Sequence, residues 1–295
     1  MSRIGGIIPA AITPFAEDGS VDHAALVAFS RYLLDLGCSA ILSQGTTGEA
    51  NSLSLAERLA VYDTLADAGF GAQTMAGVGC SNRPETVELA KKAYEIEACG
   101  ILVMPPFFYR SVSEDGIYEY FCRLFDDIGG QLKNVYLYDF PQMSGIDVSL
   151  ETIQRIRDAY PGKLVGLKNS SGNFEEMQEQ QHELDDFDVF PGSELFLLDG
   201  LRKGFPGCIS ASFNVFAAGG VEIFRNWQTD RADVLQATAT AKRLEIQKYP
   251  MIPAVKALLS AEAIIDGRKS GHVRPPLMPL EAQSLAALQA DLAKL

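Results

Sequence analysis

The chain is short of histidine, of tryptophan and of positive charge. Three histidines (His23, His182 and His272) in 295 residues leave little for imidazole metal centres or for Ser-His-Asp chemistry, both of which need a histidine among other polar groups. Lys and Arg number 25 against 38 Asp and Glu, a net charge of -13. Such a surface repels phosphate backbones and anionic lipid, so neither nucleic acid nor membrane is expected as a partner. No apolar run approaches the roughly 18 residues of a membrane span. The start, Met1-Ser2-Arg3-Ile4-Gly5-Gly6, has no hydrophobic segment or cleavage site of a secretory signal. The five cysteines (Cys38, Cys80, Cys99, Cys122 and Cys208) are odd in number and never form a C-x-x-C pair. They read as reduced, mostly buried thiols in a cytoplasmic protein. Nucleotide-binding signatures are missing too. Gly5-Gly6-Ile7-Ile8-Pro9 stands where a dinucleotide fold would carry G-x-G-x-x-G, and no Walker sequence occurs.

What is present is a repeated unit: a short apolar run, a small or polar residue, then a helical pattern. The composition, 47% hydrophobic and 21% charged, suits a large buried core. Strands are predicted at 6–13, 40–44, 74–78, 100–104, 135–139, 164–168, 188–191 and 207–211. Between them lie amphipathic helices, with a capping box at Ser54-Leu55-Ala56-Glu57 and a cap with early proline at Asn82-Arg83-Pro84-Glu85. Strands apolar almost throughout and alternating with helices predict a parallel sheet covered outside. Eight units over about 230 residues fit a (β/α)8 TIM barrel better than a doubly wound sheet. From Asp230 the pattern is helical only (232–248, from 253, and 280–295). The expected organisation is a barrel over 1–229 and an appended C-terminal helical segment over 230–295.

Function in such a barrel gathers at the C-terminal ends of the strands. Standing there are Gly45-Thr46-Thr47-Gly48-Glu49, Pro105-Pro106-Phe107-Phe108-Tyr109, Tyr138-Asp139-Phe140-Pro141, Lys168, Gly192-Ser193-Glu194 and Ser210-Ala211-Ser212. No histidine or His-Asp-Glu cluster is among them, so no catalytic metal is expected. Lys168 closes the apolar run Leu164-Val165-Gly166-Leu167. It is either a lysine snorkelling from a strand end or an imine-forming nucleophile. Free lysine titrates near 10.4, and a desolvated pocket can expose its lone pair. Gly166, two residues earlier on the same face, leaves room beneath the amine. Tyr138 follows Tyr136 at strand period and ends the neighbouring strand. It can fill space, or its phenol can move protons. Thr46 and Thr47 are a plain turn, or hydroxyls and backbone N–H groups offered to a carboxylate.

Four segments in order carry a resemblance: Gly45-Thr46-Thr47-Gly48-Glu49, Tyr138-Asp139-Phe140-Pro141, Gly166-Leu167-Lys168-Asn169-Ser170-Ser171-Gly172 and Arg274-Pro275-Pro276-Leu277. Over nearly its whole length the chain resembles the pyruvate-dependent class I aldolases of the N-acetylneuraminate lyase and dihydrodipicolinate synthase superfamily. The resemblance implies a lysine–pyruvate Schiff base at Lys168 with no separate cofactor, proton handling by Tyr138 and a relay through Thr46. It further implies that Thr46 and Thr47 hold the pyruvate carboxylate. The partners implied are a small keto acid and an aldehyde, in a homotetramer built from dimers. A second relay tyrosine, donated across a dimer interface in the family, aligns with Phe108, so that Tyr109 substitutes or the relay is shortened.

The departures concern the aldehyde. Synthases carry Arg five residues after the motif tyrosine; Met143 stands there. Sialic acid lyases carry an Asp-Glu pair and a Ser where Ser193-Glu194-Leu195 and Ala211 stand. Asp139 replaces the usual Asn. The match is closest to 2-keto-3-deoxygluconate aldolases, which implies cleavage of a 2-keto-3-deoxy sugar acid to pyruvate and a hydroxyaldehyde. A synthase-type condensation, a ketodeoxyglucarate-type dehydration and a non-catalytic pyruvate-binding regulator are the alternatives. The aldehyde part is expected beside Gly192, Gln142, Met143, Ser144, Glu194, Ser210 and Ser212, a surface with one carboxylate and no cation. Glyceraldehyde-like neutral aldehydes are therefore expected over acidic or phosphorylated ones.

Overall fold

A computed structural model describes residues 4–265 and 271–295; Met1, Ser2 and Arg3 of the chain start thus lie outside the described residues. Eight strands alternate with helices: β1 Gly6–Pro9, β2 Ile41–Ser43, β3 Thr74–Gly77, β4 Gly100–Val103, β5 Val135–Asp139, β6 Leu164–Asn169, β7 Asp188–Pro191 and β8 Gly207–Ser210. β2 through β7 run in sequence order as one parallel sheet, and β1 pairs with β8. Ala10 bridges Leu42 beyond the end of β1, and the Cys208 thiol of β8 donates to the Pro191 carbonyl of β7 at 3.3 Å. The sheet thereby curls into the expected TIM barrel. The first strand is shorter than expected because Ile12 N–H leaves the ladder and donates to the Asn214 side chain at 2.9 Å.

Strand period sorts each strand's side chains into two layers. Ile8, Leu42, Met75, Leu102, Tyr136, Tyr138, Phe190 and Ile209 fill the barrel, while alternate residues such as Leu137 and Leu167 pack outward beneath the helices. The helix caps follow the sequence signals. Ser54 and Glu57 form the capping box of Leu55–Asp67, and Asn82 caps Arg83–Glu95. Three helices follow the last barrel helix, at Ala232–Ile246, Met251–Ala261 and Ala282–Leu292. Their apolar faces share one core with the barrel: Ile246, Val255, Leu258 and Leu288 belong to the same buried cluster as Ile7, Phe29 and Phe213. Among the described residues no helix is long and apolar enough to cross a membrane.

Candidate active site

The neighbouring strands β5 and β6 place Tyr138 and Lys168 side by side, in register, at the mouth of the barrel. Both are buried, at 5% and 4% exposure. The Lys168 amine donates to the Tyr138 phenol oxygen at 3.3 Å and stands 4.3 Å from the centre of its ring. The Thr46 hydroxyl lies 3.3 Å from the same phenol oxygen. An amine, a phenol and an alcohol thus form a continuous contact path. The room expected beneath Lys168 belongs to Tyr136: a side chain at Gly166 would stand 2.8 Å from that ring, so glycine there admits the tyrosine.

The turn carrying Thr46 and Thr47 is clamped on both sides. Gln44 before it and Glu49 after it both have left-handed backbone, at φ 59° and 52°, a conformation that L-residues adopt at a cost. Glycine suits position 48, because an added Cβ would crowd the Ala11 carbonyl and the Gln44 backbone at 3.1 Å. Buried Arg58 holds Gln44 by donating to its side-chain oxygen at 2.9 Å, and anchors itself on the Gly77 and Gly79 carbonyls at 2.6 and 3.2 Å. On the far side Glu49 accepts from the Lys256 amine and from the Arg274 backbone N–H. Lys256 is fully buried, and its amine also donates to the His272 carbonyl at 2.9 Å and sits over the Phe15 ring. Burial pulls its value down to about 8 despite the Glu49 carboxylate. Arg274 ties the C-terminal segment to the barrel through the Gly19 and Ser52 carbonyls and through Glu57, whose carboxyl it holds down at about 2. Sequence reasoning missed Lys256. Its partner lies 207 positions away, and no local pattern marks such a pair.

A cavity of about 570 Å³ opens above these groups. Thr46, Thr47, Tyr138, Lys168, Gly192 and Met143 line it, as expected. Gln142, Ser144, Glu194, Ser210, Ser212 and Tyr109 are not on its lining. Gln142 donates to the Ser171 carbonyl at 2.7 Å, and the buried Ser144 hydroxyl is occupied by the Ile146 carbonyl at 2.9 Å. The hydroxyls of Ser210 and Ser212 both donate to the buried Glu194 carboxylate. The expected absence of a cation is corrected. Arg243, from the helix Ala232–Ile246, lines the cavity and stands 3.4 Å from Glu194, 3.4 Å from Ser210 and 3.2 Å from Ser212. A carboxylate buried this deeply requires a counter-charge, and a helix remote in sequence supplies it. Phe108 and Tyr109 meet edge to face with centroids 5.4 Å apart. At 76% and 73% exposure, neither reaches the cavity of its own chain.

Behind the strands lies a second polar layer. Asn169, on the face of β6 opposite Lys168, donates to Glu176 and to Gln180, each at 3.0 Å. Asp139, on the face of β5 opposite Tyr138, is fully buried, and neither carboxylate oxygen has a well-formed hydrogen bond. Loss of water, then the nearby Asp147 and Glu176 carboxylates, push its value up to about 8, against a weak pull from the Val148 N–H. Its carboxylate oxygen lies within 4.8 Å of those of Asp147 and Glu176. The histidines are elsewhere: His23 starts the helix His23–Asp35 beside Thr64, and His182 is exposed near the end of Phe174–Glu183.

Residues 3–295 match the Dihydrodipicolinate synthetase family. The chain belongs to that family. It is 32% identical over 292 residues to an uncharacterized DapA-like lyase of Chloroflexus aurantiacus, covering 98% of this chain and 96% of the relative. It is 29% identical to 4-hydroxy-tetrahydrodipicolinate synthase 1 of Halalkalibacterium halodurans, covering 97% and 96%. Among solved structures, dihydrodipicolinate synthase from Agrobacterium tumefaciens superposes with a TM-score of 0.91 at 28% identity over 99% of both chains. A prophage protein of the dihydrodipicolinic acid synthase family from E. coli K12, in complex with pyruvate, gives 0.90 at 27% over 99% of both chains. The protein is accordingly a pyruvate-dependent lyase of the class I aldolase type.

Proposed function

We propose that the enzyme cleaves a 4-hydroxy-2-oxo acid of the 2-keto-3-deoxy type into pyruvate and a neutral aldehyde, through an imine on Lys168. The contact path Lys168–Tyr138–Thr46 carries this reading. The Lys168 amine adds to the C2 carbonyl, and loss of water leaves a protonated imine. Tyr138, relayed through Thr46, takes the C4 hydroxyl proton. The C3–C4 bond then breaks, its electron pair flows to the imine as an enamine, and the aldehyde departs. C3 is reprotonated, and water releases pyruvate and the amine. The Tyr138 and Thr46 hydroxyls, in contact with each other and, through Tyr138, with the amine, are the groups that move these protons. Thr46 and Thr47 hold the keto acid carboxylate; that the E. coli neighbour was solved in complex with pyruvate supports pyruvate as the keto acid.

Met143 supports the cleavage reading over the synthase one, because no cation stands at that lining position to hold an acidic aldehyde. Arg243 does not replace it: Glu194 already answers its charge. Neutral covers both the sugar-derived hydroxyaldehydes of the resemblance and uncharged alkyl or aryl aldehydes. The division into 1–229 and 230–295 is proposed as one catalytic unit, since Arg243, Met251 and Leu277 of the tail reach the cavity. A cytoplasmic setting fits the five unpaired cysteines.

Borohydride reduction with pyruvate should attach the three-carbon unit at Lys168, read by peptide mass. Lys168→Ala should abolish both trapping and turnover while leaving the fold intact. Tyr138→Phe should still trap pyruvate but lose cleavage by about 10²–10⁴-fold, the worth of a positioned acid–base group. Trapping at another lysine would refute the assignment.

A further inference from the structure

The polar groups expected to greet a sugar-like aldehyde are already satisfied by the protein. Ser210 and Ser212 are bonded to Glu194, Ser144 to backbone, Gln142 to the Ser171 carbonyl, and Arg243 to Glu194 and both serines. What remains above Lys168 is mostly hydrocarbon, with the Ser170 and Ser193 side chains among it. Phe140, Met143, Leu195, Phe196, Met251 and Leu277 line the cavity away from the threonine turn. These walls are held in place. Phe196 stacks on Phe174 with centroids 5.3 Å apart and planes 10° apart, and Phe140 leans on Tyr138 at 5.8 Å. Met251 opens its own helix, whose Lys256 is locked to Glu49.

Resting on the aldolase reading above, we propose that the keto acid cleaved here carries an uncharged alkyl or aryl substituent on C4 rather than a polyhydroxylated chain. The reaction is R–CH(OH)–CH2–CO–COO⁻ to R–CHO plus CH3–CO–COO⁻, with R apolar. The C4 hydroxyl is the one hydroxyl of that half with a partner, at Tyr138. Further hydroxyls would leave water for a mostly apolar wall whose few polar groups, Ser170, Ser193 and Arg243, cannot partner a whole polyhydroxylated chain, and an unmade hydrogen bond costs more than a made one returns. An apolar R instead displaces water from apolar side chains and fills a roomy cavity. The polar atoms nearest that wall do not change the balance. They are few: the Ser193 hydroxyl already accepts from the Leu195 N–H at 3.3 Å, the Ser170 hydroxyl lies against Gly192, and Arg243 faces a carboxylate of its own.

The test is condensation in the reverse direction. Pyruvate is supplied with propanal, butanal, hexanal and benzaldehyde, beside glyceraldehyde, erythrose and aspartate semialdehyde, and kcat/KM is read for each. Within the alkyl series it should rise about fourfold per added methylene, the transfer value of one CH2. Benzaldehyde should exceed glyceraldehyde at least tenfold. Leu195→Gln and, separately, Met251→Gln should narrow that ratio by restoring hydrogen-bonding groups to the wall. Borohydride trapping of pyruvate on Lys168 is run on the same preparations. Trapping with glyceraldehyde or erythrose preferred would overturn the proposal, as would aspartate semialdehyde preferred, or trapping without turnover of any aldehyde. Failure to trap pyruvate would instead sink the aldolase reading, so the two failures are told apart.

Discussion

Asp139 offers a prediction with a definite sign. Its carboxyl is buried on the outer side of β5, faces Asp147 and Glu176, and is pushed up to about 8. An aspartate in the unfolded chain titrates near about 3.9. Between roughly pH 4 and 8 the folded protein therefore holds one proton more than the unfolded chain, and stability must fall as pH rises. The contribution is fully present below the unfolded value and is lost as pH climbs through about 8. A gap of about four decades, at about 1.4 kcal/mol each, puts the loss on the order of 5 kcal/mol by pH 9. Replacing Asp139 by Asn keeps the shape and removes the ionisation. The new amide can also donate to Glu176 and Asp147, which the aspartate must repel once charged.

Urea unfolding of both proteins at pH 5 and pH 9 measures this. At pH 5, one decade above the unfolded value, Asp139 ionisation favours the variant by only about 1.5 kcal/mol. At pH 9 Asp139→Asn should be the more stable by several kcal/mol, with an unchanged m-value and a higher midpoint. Groups remote from the site, including Lys256, are common to both proteins, so the difference between the two pH values reports position 139 together with the Asp147 and Glu176 carboxylates it faces. Parallel stability curves from pH 5 to 9, or a variant weaker at pH 9, would refute the reasoning.

Two further outcomes follow from contacts at the edges of the site. Lys256→Met strands the buried Glu49 carboxylate, so it should cost about 3–5 kcal/mol. The double variant with Glu49→Gln should recover part of that loss. The loosened turn should raise KM for pyruvate more than it lowers kcat, and equal effects on both would show that the pair acts on stability alone. We also propose that Phe108 and Tyr109, too apolar to stay in water at such exposure, are covered by a second copy in a homotetramer built from dimers. Light scattering at micromolar concentration should give four times the chain mass of 32.0 kDa, and a monomer would defeat the idea.

The barrel was legible because its signals are local. Each strand is a short apolar run, the first barrel helices carry a side-chain cap at the residue before them, and the alternation of the two admits few topologies. Lys168 and Tyr138 were legible for the same reason: both end strands whose order in sequence is their order in the sheet. The first strand was read too long, since nothing near Ile12 announces that its N–H will turn to Asn214, 202 positions on. The aldehyde surface was misjudged by a related blindness. Glu194, Ser210 and Ser212 look like free polar groups at strand ends until Arg243 arrives from a helix that the pattern marks only as helical.

That distribution of signals has a consequence for how the enzyme divides its labour. The groups that form the contact path, and those proposed to receive the carboxylate, all come from strand ends of the barrel, where the sheet register fixes their spacing. The groups proposed to meet the departing aldehyde come largely from outside that register, from the turn after β7 and from the helical tail. A change at Leu195, Met251 or Leu277 alters what R can be without moving Lys168 against Tyr138. The reverse does not hold, because the tail is not free of the barrel. Lys256 and Arg274 hold Glu49, and Glu49 ends the turn that carries Thr46 and Thr47. Substrate choice can thus drift by substitution of single wall residues, whereas displacing the helix Met251–Ala261 as a body would loosen the carboxylate site as well.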